Sequence, residues 1–129
     1  MQDWIHWEPI VGLSEKYSIY SIAWLEKGVI ITLSDRASLK KIKITFQNFV
    51  DAYRYSNKAF CSNFFSILSM KYGEEFYKNW TFFKVNNSEY IKWIVQKSYE
   101  ATFIHFCILG DDEVVDILAR YEPIVKIID

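Results

Sequence analysis

The sequence predicts an α+β fold: a single globular domain over residues 1–129, with a largely antiparallel sheet and about three helices packed on it. Two observations predict it. Strand-like segments come first, and helical segments then interleave with strands, the order expected of a sheet covered on one face by helices. The chain of 129 residues is also 51% apolar and 19% aromatic, enough for a core without disulfides or a metal.

Residues 17–25 are rich in aromatic and β-branched side chains and read as a strand. Glu26, Lys27 and Gly28 form a loop in which Gly28 is expected to supply a positive φ, and residues 29–33 return as the partner strand. Residues 34–38 are a polar connection. Residues 41–46 alternate strictly: Ile42, Ile44 and Phe46 face one way, Lys41, Lys43 and Thr45 the other, as in a half-buried strand. Residues 49–55 fit either period. Strand is preferred, because a helix directly after Asn48 would be very short.

Residues 59–72 read as a helix whose apolar face is Phe60, Phe64, Ile67, Leu68 and Tyr72, closed by Gly73. Eight aromatic residues lie between Tyr72 and Trp93, which marks the core. Residues 80–85 form a strand. Asn86 is expected to cap a helix running to about Ser98, with Glu89 completing a capping box and Val85 and Tyr90 as a staple. Residues 102–109 are another strand, broken by Gly110. Asp111 is then expected to cap a helix carrying Val114, Val115, Leu118 and Tyr121. Pro123 ends it, and residues 124–128 form a last strand at a sheet edge.

The formal net charge is −1, so no global field attracts nucleic acid or membrane. The charge is uneven, however. Arg36, Lys40, Lys41, Lys43, Arg54 and Lys58 face only Asp51 in one stretch. Asp111, Asp112, Glu113, Asp116, Glu122 and Asp129 outnumber Arg120 and Lys126 in another. In the basic stretch, aromatics and cations fall on opposite strand faces, which argues against a nucleic-acid surface. The N-terminus lacks the pattern of a signal peptide and nothing is long enough to span a membrane, so a cytoplasmic protein with buried thiols at Cys61 and Cys107 is expected.

Chemistry is sparse. His6, His105, Cys61 and Cys107 have no zinc-site spacing, and no G-x-S-x-G or glycine-rich phosphate loop occurs. His105 and Cys107 read as a satisfied histidine and an inert thiol within an apolar strand. No metal, cofactor or catalytic residue is expected. The expected partner-binding residues are Asp111, Asp112, Glu113 and Asp116, for their charge, and Trp80, because exposed aromatics anchor interfaces.

The runs FFKVNNSEYIKWI at 82–94, IHF at 104–106 and DDEVVDILARYEPIV at 111–125, with AYR at 52–54, carry a resemblance. The chain is similar to small uncharacterised cytoplasmic proteins of spore-forming Gram-positive bacteria, several of them encoded beside polymorphic secreted toxins where immunity proteins are found. The resemblance implies a non-enzymatic protein-binding domain, an immunity-type inhibitor of a toxin. The alternative is a small-ligand or regulatory domain with an aromatic-lined pocket between sheet and helices.

Overall fold

A computed structural model describes residues 2–13, 16–35 and 40–128. Arg36 and most of the polar connection at 34–38 lie outside them. The fold is mixed α+β, with two antiparallel sheets where the sequence suggests one. The strands are β1 (Asp3–His6), β2 (Ser18–Trp24), β3 (Val29–Ser34), β4 (Lys41–Phe46), β5 (Ala52–Asn57), β6 (Phe82–Asn86), β7 (Ile104–Leu109), β8 (Glu113–Ala119) and β9 (Ile124–Ile128). One sheet runs β1-β6-β7-β8-β5 and the other β2-β3-β4-β9. The main core lies between them. Ile31, Leu33, Ile42, Ile44 and Phe46 from the smaller sheet meet Phe82, Phe106, Ile108, Val115 and Ile117 from the larger. Each such side chain stabilises the fold by about 1.5–3 kcal/mol relative to exposure.

The far face of the five-stranded sheet is covered by α1 (Ser62–Tyr72), α2 (Glu75–Lys78) and α3 (Glu89–Ile94). Leu68 and Tyr77 pack on Trp4, Phe83, Val85, Cys107, Leu109 and Val114, and Tyr90 and Ile91 pack on Leu118. This sheet is therefore buried on both faces. That overturns the helix expected after Asp111: residues 113–119 are β8, paired with β7 on one side and β5 on the other. A strand buried on both sides has no alternation, so VVDILA shows no strand period to read.

Other expectations need smaller corrections. Of residues 49–55, where strand is preferred, 52–55 lie in β5 and 49–51 precede it. In α1, Leu68 is buried while Phe60 is 89% exposed, in a 3-10 turn before the helix, and Ile67 points out. The buried stripe runs through Phe64, Phe65, Leu68 and Tyr72. Trp80 precedes β6 rather than opening it. The expected cap at Asn86 is wrong by two residues. Asn86 is still paired with Asp3 in the sheet. The chain then turns at Asn87, whose φ is 53°, a conformation asparagine tolerates. Ser88 becomes the cap, its Oγ accepting from Ile91 N at 3.1 Å. The helix stops at Ile94, and residues 97–102 form a separate 3-10 segment.

The β2–β3 hairpin closes with Leu25 N donating to Gly28 O at 2.9 Å. Gly28 does not have a positive φ; its role is close approach. A Cβ there would lie 1.9 Å from the Phe46 carbonyl oxygen. The glycines with positive φ are Gly12, at 90°, and Gly73, at 85°. Gly28→Ala is therefore expected to push β3 from β4 and cost about 3 kcal/mol, the upper range for overpacking, read from the urea midpoint. A loss under about 0.5 kcal/mol would mean that the two strands separate freely there.

Candidate functional site

Two polar side chains interrupt the apolar runs of the central strands: His105 in β7 and Asp116 in β8. Both point to the helical side of the five-stranded sheet, at 1% and 5% exposure. A buried carboxylate needs partners, and register supplies them. Arg54 of β5 sits directly opposite Asp116, and its Nε donates to Asp116 Oδ2 at 2.9 Å. His105 Nε2 donates to Asp116 Oδ1 at 2.6 Å. His105 Nδ1 meets the Ser88 hydroxyl at 2.7 Å. The Ser88 hydroxyl also accepts from Ile91 N, so both imidazole nitrogens and both Asp116 oxygens have a partner. Tyr90 closes it from above, edge-on to His105 at 5.5 Å and face-on to the Arg54 guanidinium at 4.1 Å.

Burial alone would raise the Asp116 carboxyl, but the His105 hydrogen bond and the Arg54 charge outweigh it and hold it below the ordinary value. Burial pushes the neighbouring Cys107 thiol well up, and the Asp116 charge adds to that. Cys107 is thus an inert thiol, as its apolar setting implies.

Ser88, His105 and Asp116 are hydrogen-bonded in series as in an acyl-transfer triad, but with the two imidazole nitrogens exchanged. Their surroundings suit structure instead. Ser88 is 3% exposed, and its acceptor is committed to the start of α3. The next helix N–H, on Glu89, is taken by Gln2 Oε1 at 2.8 Å. The relay ties α3, β7, β8 and β5 into one unit. Arg54 forms its half-exposed end and opens into a groove of about 490 Å³ lined by Trp4, Phe64, Ile67 and Lys71.

The expected partner-binding residues part company. Asp111 and Asp112 occupy the corner of the β7–β8 hairpin, where Gly110 N donates to Glu113 O at 2.9 Å. Asp111 Oδ2 accepts from Ser18 Oγ at 2.7 Å, and Glu113 Oε2 accepts from Tyr55 Oη at 2.5 Å. These three share one tip of the molecule, whereas Asp116 is interior. Trp80 is half-buried, with its Nε1 donating to Trp7 O at 3.1 Å. Below the tip, the Lys16 ammonium donates to the carbonyls of Tyr77, Trp80 and Leu109 at 2.6, 3.0 and 2.6 Å. Burial lowers its pKa to about 8, against the pull of Asp111.

Sequence reasoning missed the aromatic edge beside this tip. Trp24 at the end of β2 and Tyr53 and Tyr55 on β5 are 47%, 49% and 49% exposed, and the Trp24 and Tyr53 rings lie 4.4 Å apart. β5 is an edge strand. Lys58 N donates to Asp112 O, so by the ladder's alternation the even residues of β5 bond β8, and the backbone groups of Tyr53 and Tyr55 face outward. Phe49 is exposed just before this strand. Among the described residues, no group of three or more His, Cys, Asp or Glu is placed to hold a metal, and no helix is long and apolar enough to cross a membrane.

The relay makes an acid-stability prediction. A depressed folded-state pKa means that Asp116 adds stability above its ordinary value of 3.8, and that this stability is lost as pH falls through 3.8 and below. Asp116→Asn is expected to cost about 1.5–3 kcal/mol at neutral pH, the loss of charge-assisted hydrogen bonds to His105 and the half-exposed Arg54, and to flatten the decline below pH 3.8. Equal slopes for wild type and variant in urea titrations would remove Asp116 from the acid transition.

No family model matches the chain, and no curated protein or solved structure matches it.

Proposed function

We propose that the chain is a non-enzymatic domain that works in the cytoplasm by binding another protein, as an immunity-type inhibitor of a bacterial toxin. The reading takes residues 1–129 as one domain, with α1, α2 and α3 on the face away from the smaller sheet. The observation that carries it is the aromatic edge of Trp24, Phe49, Tyr53 and Tyr55 around the outward-facing backbone of β5. Exposed Trp and Tyr are the usual anchors of interfaces, and an open strand edge offers main-chain donors and acceptors to a partner. Asp112 and Glu113 flank the edge through Lys58 and Tyr55, so the acidic tip adjoins the aromatic surface. Asp116 contributes from inside by fixing Arg54, and Trp80 by fixing the chain before β6.

One observation favours the second reading, a small-ligand or regulatory domain. The groove of about 490 Å³ between β1, α1 and α3 has aromatic walls, Trp4 and Phe64, and one guanidinium, that of Arg54. This is the usual make-up of a ligand site.

Binding to any toxin domain found encoded by the genes flanking this one separates the two. Tyr53→Ala with Tyr55→Ala should weaken the complex at least 30-fold, the loss of one or two hot spots of about 2 kcal/mol. Far-UV circular dichroism should be unchanged. Asp112→Lys should slow association and leave dissociation nearly unchanged, with the difference shrinking in high salt. Full affinity in the tyrosine variant, together with loss in Arg54→Ala or Phe64→Ala, would move function to the groove.

A further inference from the structure

The outer face of the four-stranded sheet carries a charge arrangement that the fold does not need. Its outward residues follow from register. Ser21 pairs with Thr32, Thr32 with Lys43, and Lys43 with Lys126, so one row across four strands reads Ser-Thr-Lys-Lys. Lys41 stands two residues along β4, between Ser34 and Ile128. No strand residue on this face is a carboxylate. Like charges directly opposite in an antiparallel pair are destabilising, and Lys43 and Lys126 make no ion pair among the described residues. Lys71, Lys78 and Lys84 are paired with Asp3, Glu74 and Glu122, whereas Lys58, Lys92 and Lys97 stand singly, like Lys43 and Lys126 without an ion pair among the described residues but with no like charge set directly opposite them.

The apolar surroundings select among anionic partners. Ile30, Ile124 and Ile128 share the face with the lysines, and the last two are exposed. Tyr20 is the exposed aromatic here, and the Lys41 ammonium already lies 4.1 Å over its ring. Single-stranded nucleic acid is held by free aromatic faces on which bases stack, and this surface has none to spare. A protein segment with carboxylates for the lysines and aliphatic side chains for the isoleucines fits both features.

We infer that this face is a second binding surface, which takes a carboxylate-rich segment of another protein across Lys41, Lys43 and Lys126. It is separate from the aromatic edge and does not depend on it.

The test is titration of the ¹⁵N-labelled full chain with poly-L-glutamate, and in parallel with oligo-dT, followed by amide shifts. Poly-glutamate is expected to move Thr32, Lys43, Thr45 and Lys126 first. Lys43→Thr with Lys126→Thr should weaken it about tenfold, whereas Tyr53→Ala with Tyr55→Ala should bind it as wild type does. The single variant Lys126→Thr should melt about 1–3 °C higher, since it relieves the opposed charges. Shifts spread evenly over Lys58, Lys92 and Lys97 would overturn the inference, as would tighter binding of oligo-dT to the same residues or a lower melting temperature for Lys126→Thr. If the lysine variants bind normally while the tyrosine variant loses its toxin partner, this surface fails and the aromatic edge stands.

Discussion

A carboxylate in the middle of a sheet covered on both faces must be neutralised where it stands, and Asp116 organises its surroundings on that account. Its two oxygens take one donor each, from His105 of β7 and Arg54 of β5. His105 then needs a partner for its second nitrogen, and the Ser88 hydroxyl that caps α3 provides it. Three strands and a helix are thus tied by one short chain of hydrogen bonds. An all-apolar replacement of similar volume would be comparably stable. What the polar version adds is a single register: shifting β5 against β8 by one residue would leave Asp116 buried without Arg54.

Legibility in the sequence follows how many sides of an element are wet. β4 has one wet face, so its Ile-Lys-Ile alternation reads directly. The β2–β3 hairpin announces itself through Gly28, though by close approach to Phe46 and not by a positive φ. Pro123 leads into an edge strand, as it should. β8 is dry on both faces, and its apolar residues are compatible with a helix stripe as much as a strand. The misplaced cap at Asn86 has a different cause. Both Asn86 and Ser88 are good caps by type, and the choice was made by Asp3 of β1 keeping Asn86 in the sheet, a contact 83 positions away in the chain that no local pattern records. Of the site, His105 is visible as a lone polar residue in an apolar strand, whereas Asp116 reads as a surface acid of the helix expected after Asp111. That they meet each other could not be read without the strand assignment of β8. The aromatic edge was hidden because Trp24, Tyr53 and Tyr55 look like core residues until the sheet order leaves β5 outermost.

The strand assignment also redistributes the charge. As a helix, residues 111–121 would present Asp111, Asp112 and Asp116 on nearby turns. As a hairpin, the tip keeps Asp111 to Glu113 at the surface, where Ser18, Tyr55 and Lys58 engage them, and Asp116 goes inside. The chain's C-terminal acidity is therefore largely answered within the molecule. The lysines of β4 and β9 are not answered, because antiparallel register sets them side by side. Charge read along the sequence and charge read across the sheet thus point to surfaces of opposite sign.

The interior relay and the exposed edge are mechanically linked through Arg54. An edge strand has hydrogen bonds on one side only and frays more readily than a central one. Arg54 counters this on the helical face: its Nε is fixed by a buried carboxylate and its guanidinium rests on the Tyr90 ring. Its immediate neighbours Tyr53 and Tyr55 project from the opposite face. Tyr53 is braced by Trp24, and Tyr55 by Glu113. A binding surface whose side chains are already ordered loses less conformational entropy on association. The buried Asp116 thereby sets how rigidly the aromatic edge is held.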